Sequence, residues 1–447
     1  MIEGTQQTPV PDRPLTEGLA WFERSSRTVV GGVKRMNLLD DPAEFPCFFT
    51  HSAGGRTWDA DSHEYIDLIA GKGSVLIGHT EPAVDEAVIA AIRGGSMPPL
   101  TPTDYPVAAE RLCAVTGMGN RAKFFRTGSC AVTAAVRIAR AATGRQTVLT
   151  CGYHGWHDWF AERDKNPRAE APGPVVEFGY DVQTLRELLA ATSPAAVVVT
   201  PEPALFDLDF LRQCAELARA AGALLIVDEV KTGFRAGPLG YAALAGVRPD
   251  LTVLAKALGN GYPVSAVLGD VAVMAAETEI HVSGTYETER LGLAAATACL
   301  DLYAARTEAE HTAYQAACQQ LADGLNRIFA THGTGAHACL GPGNTQIIFA
   351  DQEWATAFYR ACARRGLLLY CFDDVNLMFA QTGMVEAILD IAAAAVAAVT
   401  TQLGGCPPLT VDHLAAYLNR HRVLGKDQQQ AGRVLERVRA RLGWARP

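Results

Sequence analysis

Seven of the 39 basic residues in this 447-residue chain are lysines, and one of them stands where a lysine is costly. The stretch LTVLAKALGNGYP (251–263) reads as an apolar strand that runs directly into Lys256 and then a Gly-Asn-Gly turn. Burial there lowers an amine's pKa and frees its lone pair, as Schiff-base chemistry requires. The alternative is a strand-end lysine whose stem is covered while its ammonium reaches water. Upstream, LLIVDEV (224–230) is an apolar strand ending in Asp228 and Glu229. Ligands of open α/β sheets bind beyond the carboxyl ends of strands, so an acid there either serves a ligand or caps the next helix. In FFRTGSCAVTAAVRIARAATG (124–144) a β-run meets Thr-Gly-Ser and then an Ala-rich helix. Gly128 allows close backbone approach, and Ser129 with the first-turn amides suits a phosphate; an ordinary helix N-cap reads the same way. Beyond that helix, CGYHGWHDW (151–159) offers Tyr153 or Trp156 to stack on a flat ring. His154 and His157 are spaced HxxH, but no third ligand is apparent, so no metal is expected.

Together these four segments supply the parts of a pyridoxal 5'-phosphate (PLP) site. Gly128 and Ser129 hold the phosphate, Tyr153 the ring face and Asp228 the pyridinium nitrogen, while Lys256 bonds to the cofactor. With these residues in place, the chain resembles the class III aminotransferases of PLP fold type I, in the glutamate-1-semialdehyde aminomutase-like branch. The resemblance runs over roughly residues 20–400. Its motifs are WDADSHEYID (58–67), IGH (77–79), FFRTGS (124–129), YHG (153–155), LLIVDEVKTGFR (224–235), GVRPDL (246–251), KALGNGYPVSAVLG (256–269) and SGTYE (283–287).

The resemblance implies an internal aldimine at Lys256, ring-nitrogen protonation by Asp228, Val230 beneath the ring and Tyr153 above it. It also implies His154 and Glu202, the latter in Glu-Pro (202–203), among the cofactor-binding residues. Thr285 matches a threonine that reaches the phosphate of a neighbouring subunit, which implies a homodimer with shared sites. The implied activity is an aminotransferase with a small-molecule amino donor and an aldehyde or ketone acceptor, cycling through pyridoxamine 5'-phosphate.

Departures from the pattern bear on the substrate. Gly31-Gly32-Val33 is followed by Lys34-Arg35-Met36 instead of the aminomutases' Ser-x-x-Arg stretch, Lys72 replaces a tryptophan, and residues 288–291 replace Gly-Asn-Pro. These departures resemble aminotransferases of surface-polysaccharide and secondary-metabolite pathways. Arg35 and Lys72 are candidates for an anionic group on a small polar, anionic or sugar-like acceptor, or else form surface ion pairs. Two readings compete: an aminomutase or epimerase using the same site, and a non-catalytic binding protein of this fold. A nucleotide-binding oxidoreductase lacks its fingerprint, since neither GKGSVLIG nor GNGYPV satisfies GxGxxG after a strand.

The elements that must position these residues are legible as well. From about 80 to 325, short apolar runs such as TVLT (147–150), AAVVVT (195–200) and VSAVLG (264–269) alternate with amphipathic stretches at 129–142, 182–192 and 208–221. That alternation predicts an α/β fold with a mostly parallel, buried central sheet. RTWDADSHEYIDLI (56–69) predicts a hairpin, and residues 14–28 a helix. QIIFA (346–350) and GLLLY (366–370), flanked by helical patterns, predict a smaller α+β domain. We therefore divide the chain at 1–75, 76–325 and 326–447: a large PLP-binding domain between two segments of a small domain drawn from both chain ends, with a polar, basic terminal helix read as solvated. A net charge of −9 argues against a nucleic-acid partner. No membrane partner is expected: the apolar stretch from Ala387 looks too short to span and reads as a buried helix. Eleven scattered cysteines without a CxxC pair suit reduced thiols and a cytoplasmic location.

Overall fold

The computed structural model describes residues 13–33, 41–160, 175–237, 240–421, 423–424 and 428–444. Its centre is a sheet of seven strands: β1 (Arg121–Phe125), β2 (Val148–Cys151), β3 (Val175–Glu177), β4 (Ala196–Val199), β5 (Leu224–Asp228), β6 (Leu251–Leu254) and β7 (Ser265–Gly269). Their order across the sheet is β1-β7-β6-β5-β4-β2-β3. Only β7 runs antiparallel to its neighbours β1 and β6. Every residue of β2, β4, β6 and β7 is buried. Strands covered by helices on both faces must be apolar throughout, which is why these runs show no alternation. The expected helices appear as Gly128–Thr143, Val182–Ala191 and Leu208–Ala220. The first of them buries Ala131, Ala135 and Ala139, small side chains that let a helix lie close to the sheet.

Both chain ends build one smaller sheet. Arg56–Asp59 and Glu64–Asp67 form the expected hairpin, with Thr57 opposite Tyr65. Leu367–Leu368 then pairs in parallel with Ile66 and Asp67. A hairpin of Ala336–Gly341 and Asn344–Phe349 joins Val375–Asn376 in a separate sheet.

Two expectations need correction. The apolar helix is longer than the run from Ala387 suggested: Phe379–Leu403 is continuous and, by length and composition alone, sufficient to cross a membrane. Its Ile388, Ala392, Val396 and Val399 face the core, however, against helices Glu308–Thr331 and Gln352–Arg364. The terminal segment is not a solvated helix. It forms two helices, Val411–Arg420 and Gln428–Arg441. Leu414, Leu418, Val434 and Val438 are buried among Phe178, Tyr180, Leu185, Phe210 and Leu211 of the large sheet's flank and Cys339 and Ile348 of the small hairpin. Basic residues that made the segment look solvated lie on its outer face, for example Arg420 and Arg441, while the apolar ones recur at helical spacing beneath them.

Candidate active site

β1, β2, β4, β5 and β6 share one direction, so the residues that follow them gather at one edge of the sheet. Gly128 and Ser129 follow β1, Tyr153 and His154 follow β2, and Glu202 follows β4. Asp228 ends β5 and Lys256 follows β6. This carboxyl edge is where open α/β sheets bind ligands.

Asp228 is 2% exposed. His154 Nδ1 lies 2.9 Å from Asp228 Oδ2 and, facing a carboxylate, acts as donor. The Val230 amide donates to the other oxygen at 3.1 Å. Thr200 Oγ1 lies 3.2 Å from His154 Nδ1 and donates to the Tyr153 carbonyl at 3.1 Å. The acid and the histidine are thus fixed together, and His154 Nε2 is buried with no partner among the described residues. Glu229, by contrast, accepts from the amides of Tyr241 and Ala242 and from Thr232 Oγ1. Of the two acids, Glu229 holds the start of the next helix and Asp228 stays turned to the site.

Val230 packs under the start of helix Gly128–Thr143, where a Cβ on Gly128 would lie 2.9 Å from both its methyls. Thr127 accepts from the Cys130 amide, and the Ala131 amide closes on the Thr127 carbonyl. The Gly128 and Ser129 amides therefore face outward at the positive end of the helix dipole. Gly155, at φ +97°, lets the Tyr153–His154 loop lie against Ser129, where a Cβ would come within 2.4 Å of Oγ. Tyr153 is exposed and packs edge-on to Phe160. His157, the second histidine of HxxH, pairs with Thr133 Oγ1 at 2.8 Å, away from His154's partners.

Lys256 follows a kink: its φ is +47°, a left-handed conformation in which a lysine is strained. Its amine is held below the usual lysine range, chiefly by burial, with Lys231 and Arg235 adding and Asp374 and Asp373 opposing. These four neighbours belong to a charged wall that the sequence did not reveal. Lys231 Nζ donates to Glu202 Oε2 at 2.6 Å and lies 3.2 Å from Asp374 Oδ2. Burial opposes its charge, yet Asp374 and Glu202 hold its pKa above the usual lysine value. Burial raises Glu202, with Lys231 opposing. Asp374 also resists burial but ends below the ordinary carboxylate range, because Lys231, Gln346 and Lys256 favour its charge. Gln346 Nε2 donates to Glu202 Oε2 at 3.2 Å and to Asp374 Oδ1 at 3.0 Å. Arg235, 1% exposed, donates to the carbonyls of Gly343 and Gly73. Lys231 and Arg235 lie in a quoted motif, LLIVDEVKTGFR, but Asp373, Asp374 and Gln346 arrive from the other end of the chain with no spacing to announce them.

Lys72 sits at φ +60°, its ammonium 5.0 Å from the centre of the Tyr370 ring, and forms no ion pair among the described residues. Arg35 lies outside the described residues. Thr285 is exposed on a loop whose far half is anchored by ion pairs from Glu287 to Lys123 and Glu289 to Arg126.

The cradle fits a flat, phosphate-bearing pyridine. Outward amides lie at a helix start, a valine floor passes within contact of Gly128, and a buried acid is braced by histidine. An amine of lowered pKa follows the neighbouring strand. The description of the class III aminotransferase family matches residues 40–160 and 201–395. The 2'-deamino-2'-hydroxyneamine transaminase of Streptomyces kanamyceticus is 39% identical over 362 residues, covering 80% of this chain and 92% of that protein. The aminopentol aminotransferase of Sphingopyxis macrogoltabida is 32% identical over 381 residues, covering 80% and 89%. Among solved structures, the FumI protein of Sphingopyxis sp. MTA144 in its PLP internal aldimine form superposes with a TM-score of 0.80 at 29% identity, covering 88% of this chain and 99% of that one.

Proposed function

The chain belongs to the class III aminotransferases as a PLP-dependent transaminase, and on that premise we propose that it moves an amino group from an amino-acid donor to the aldehyde or ketone of a small, polar, sugar-like acceptor. The reading is carried by one observation: Lys256, strained and largely buried, stands at the carboxyl edge of β6 beside the braced Asp228 at the end of β5. When bound, PLP supplies a ring that draws electrons from the substrate carbon next to nitrogen. The chain's own residues do the rest. The Gly128 and Ser129 amides hold the phosphate, and Asp228, fixed by His154 and the Val230 amide, keeps a proton on the ring nitrogen. Val230 supports one ring face and Tyr153 covers the other. Lys256 Nζ, once free, takes and returns the proton at the substrate carbon, a task helped by an amine below its ordinary pKa.

Of the acceptor characters expected from sequence, anionic and sugar-like, the wall favours the second. Three carboxylates, those of Glu202, Asp373 and Asp374, stand with two cations, Lys231 and the carbonyl-bound Arg235, so the wall offers an anion no surplus of positive charge and suits an acceptor bearing hydroxyls and amines. The names of the neamine and aminopentol relatives support the same reading. Lys72, without an ion pair among the described residues, is our candidate for an oxygen-rich group on the acceptor. Thr285, presented on its anchored loop, supports a homodimer with shared sites. Eleven free cysteines support a cytoplasmic location.

The test is a single-donor half-reaction without acceptor, followed by cofactor absorbance and keto-acid release. The expected outcome is one keto acid per site with loss of visible absorbance, and neither in Lys256→Ala. Turnover and visible absorbance retained in that variant would overturn the proposed role of Lys256. Interconversion of a substrate without any keto acid would instead support an aminomutase.

A further inference from the structure

The two terminal helices begin at Val411, beyond residue 395 where the family match stops. One residue of the first helix reaches the charged wall. Tyr417, 8% exposed, donates its hydroxyl to Gln346 Oε1 at 2.9 Å. Gln346, 3% exposed, spends both amide hydrogens on carboxylates, Glu202 Oε2 at 3.2 Å and Asp374 Oδ1 at 3.0 Å. Its oxygen must then point away from them, and Tyr417 is the donor that receives it. Turned over, the amide would set its oxygen against two carboxylates. The hydroxyl therefore fixes the amide, and the amide fixes the two acids on either side of Lys231. The same helix end brings His421, whose ring lies 4.3 Å from that of Tyr417. Its Nε2 is buried without a partner among the described residues. Burial, first, and Lys231, second, push its pKa down to about 4, which puts the imidazole within the field of the same lysine.

We propose that the C-terminal helix Val411–Arg420 completes the active site: Tyr417 is a positioning residue that, through Gln346, holds Glu202 and Asp374 on Lys231 and so sets the charged wall facing Lys256. The proposal rests on Lys256 being the cofactor lysine. The charges facing that lysine come from two places, Lys231 and Arg235 after β5 and Asp373 and Asp374 before the Val375–Asn376 strand. Through Gln346, Tyr417 reaches Asp374 of the second group and Glu202, the partner of Lys231 in the first.

The experiment compares PLP-loaded wild type, Tyr417→Phe, Gln346→Leu and the double variant, with Arg433→Ala as control. Arg433 anchors the second tail helix to Asp181 and Thr184 at the start of helix Val182–Ala191. Two quantities are read: the pH midpoint of the bound cofactor's visible absorbance, and KM against kcat for donor and acceptor. In Tyr417→Phe the midpoint is expected to move by about half a pH unit or more, and KM to rise roughly three- to tenfold with a smaller change in kcat. The double variant should match Gln346→Leu alone, because the two residues act as one unit. Arg433→Ala should keep the wild-type midpoint. A Tyr417→Phe enzyme with a lower Tm but unchanged midpoint and KM would overturn the proposal, as would strictly additive effects. If Tyr417→Phe fails to fold, Gln346→Leu with wild-type midpoint and KM overturns it equally. Loss of the visible absorbance in Lys256→Ala tests the underlying reading separately, so failure of either is distinguishable.

Discussion

Asp228 and Glu229 are neighbours in sequence with opposite uses, and the hydrogen-bond partners decide which is which. Glu229 has its oxygens taken by two amides and a hydroxyl of the following segment. Asp228 accepts one amide and one imidazole, with the Thr200 hydroxyl at 3.5 Å from Oδ2, and its side-chain partners come from the residues after two neighbouring strands, not from a helix start. Its role as a charge can be separated from its role as a shape. Asp228→Asn keeps the volume and the Val230 contact but removes the negative charge that we propose faces the ring nitrogen. We expect retained cofactor absorbance and a kcat lower by on the order of 10²–10³, the scale seen when one preorganised electrostatic partner is removed. Presteady-state measurement of the donor half-reaction checks this; a kcat within about threefold of wild type would reassign the charge to another group. At this scale the sequence was informative where chemistry limits the choice of side chain. Only a lysine forms a Schiff base, so Lys256 stood out among seven. Asp373, Asp374 and Gln346 did not, because a carboxylate or an amide suits many surface positions and only the fold brings these three to Lys231.

Elements were legible where burial imposes a pattern. The apolar runs of β2, β4, β5 and β6 marked the sheet because both of its faces are covered, and Gly128 marked the point where a helix start meets strand-end residues. That meeting is tight enough to test. A Cβ at residue 128 would lie 2.9 Å from both Val230 methyls, closer than carbon atoms pack. Gly128→Ala must therefore push the helix start or the valine aside, displacing the two outward amides together. The expected result is weaker cofactor binding by roughly 10-fold or more, equivalent to about 1–3 kcal/mol of overpacking. The loss should be partly restored in Gly128→Ala/Val230→Ala, where the methyls are gone. Equilibrium titration with PLP reads both; an unchanged affinity in the single variant would place the phosphate elsewhere. The terminal helices were the element misread from sequence. Basic residues dominate the composition of the segment, whereas Leu414, Leu418, Val434 and Val438 are few and four residues apart within each helix, so the stripe is seen only once a helix is assumed.

The whole molecule draws one site from distant parts of the chain, and we propose that the loop bearing Thr285 extends that logic to a second copy. Glu287, Glu289 and Arg290 tie the loop to Lys123, Arg126 and Asp104, while Thr285 and Tyr286 project outward, the latter 60% exposed. Holding a polar residue out in this way makes sense if another protomer receives it, and a closed two-fold pair lets each copy complete the other's cradle. If Thr285 reaches the neighbouring phosphate, Thr285→Glu places a carboxylate against it and abolishes activity by like-charge repulsion. Lys256→Ala abolishes it in the other component of the site. Each variant alone is then inactive, but a mixed dimer has one site with an intact Lys256 facing an intact Thr285. After the two are unfolded and refolded together in equal amounts, about a quarter of the sites should recover, half the dimers being mixed with one good site each. Sedimentation establishes the dimer, and activity of the mixture against the separately refolded variants gives the fraction. No recovery, with mixed dimers shown to be present, would mean that Thr285 serves its own chain or none.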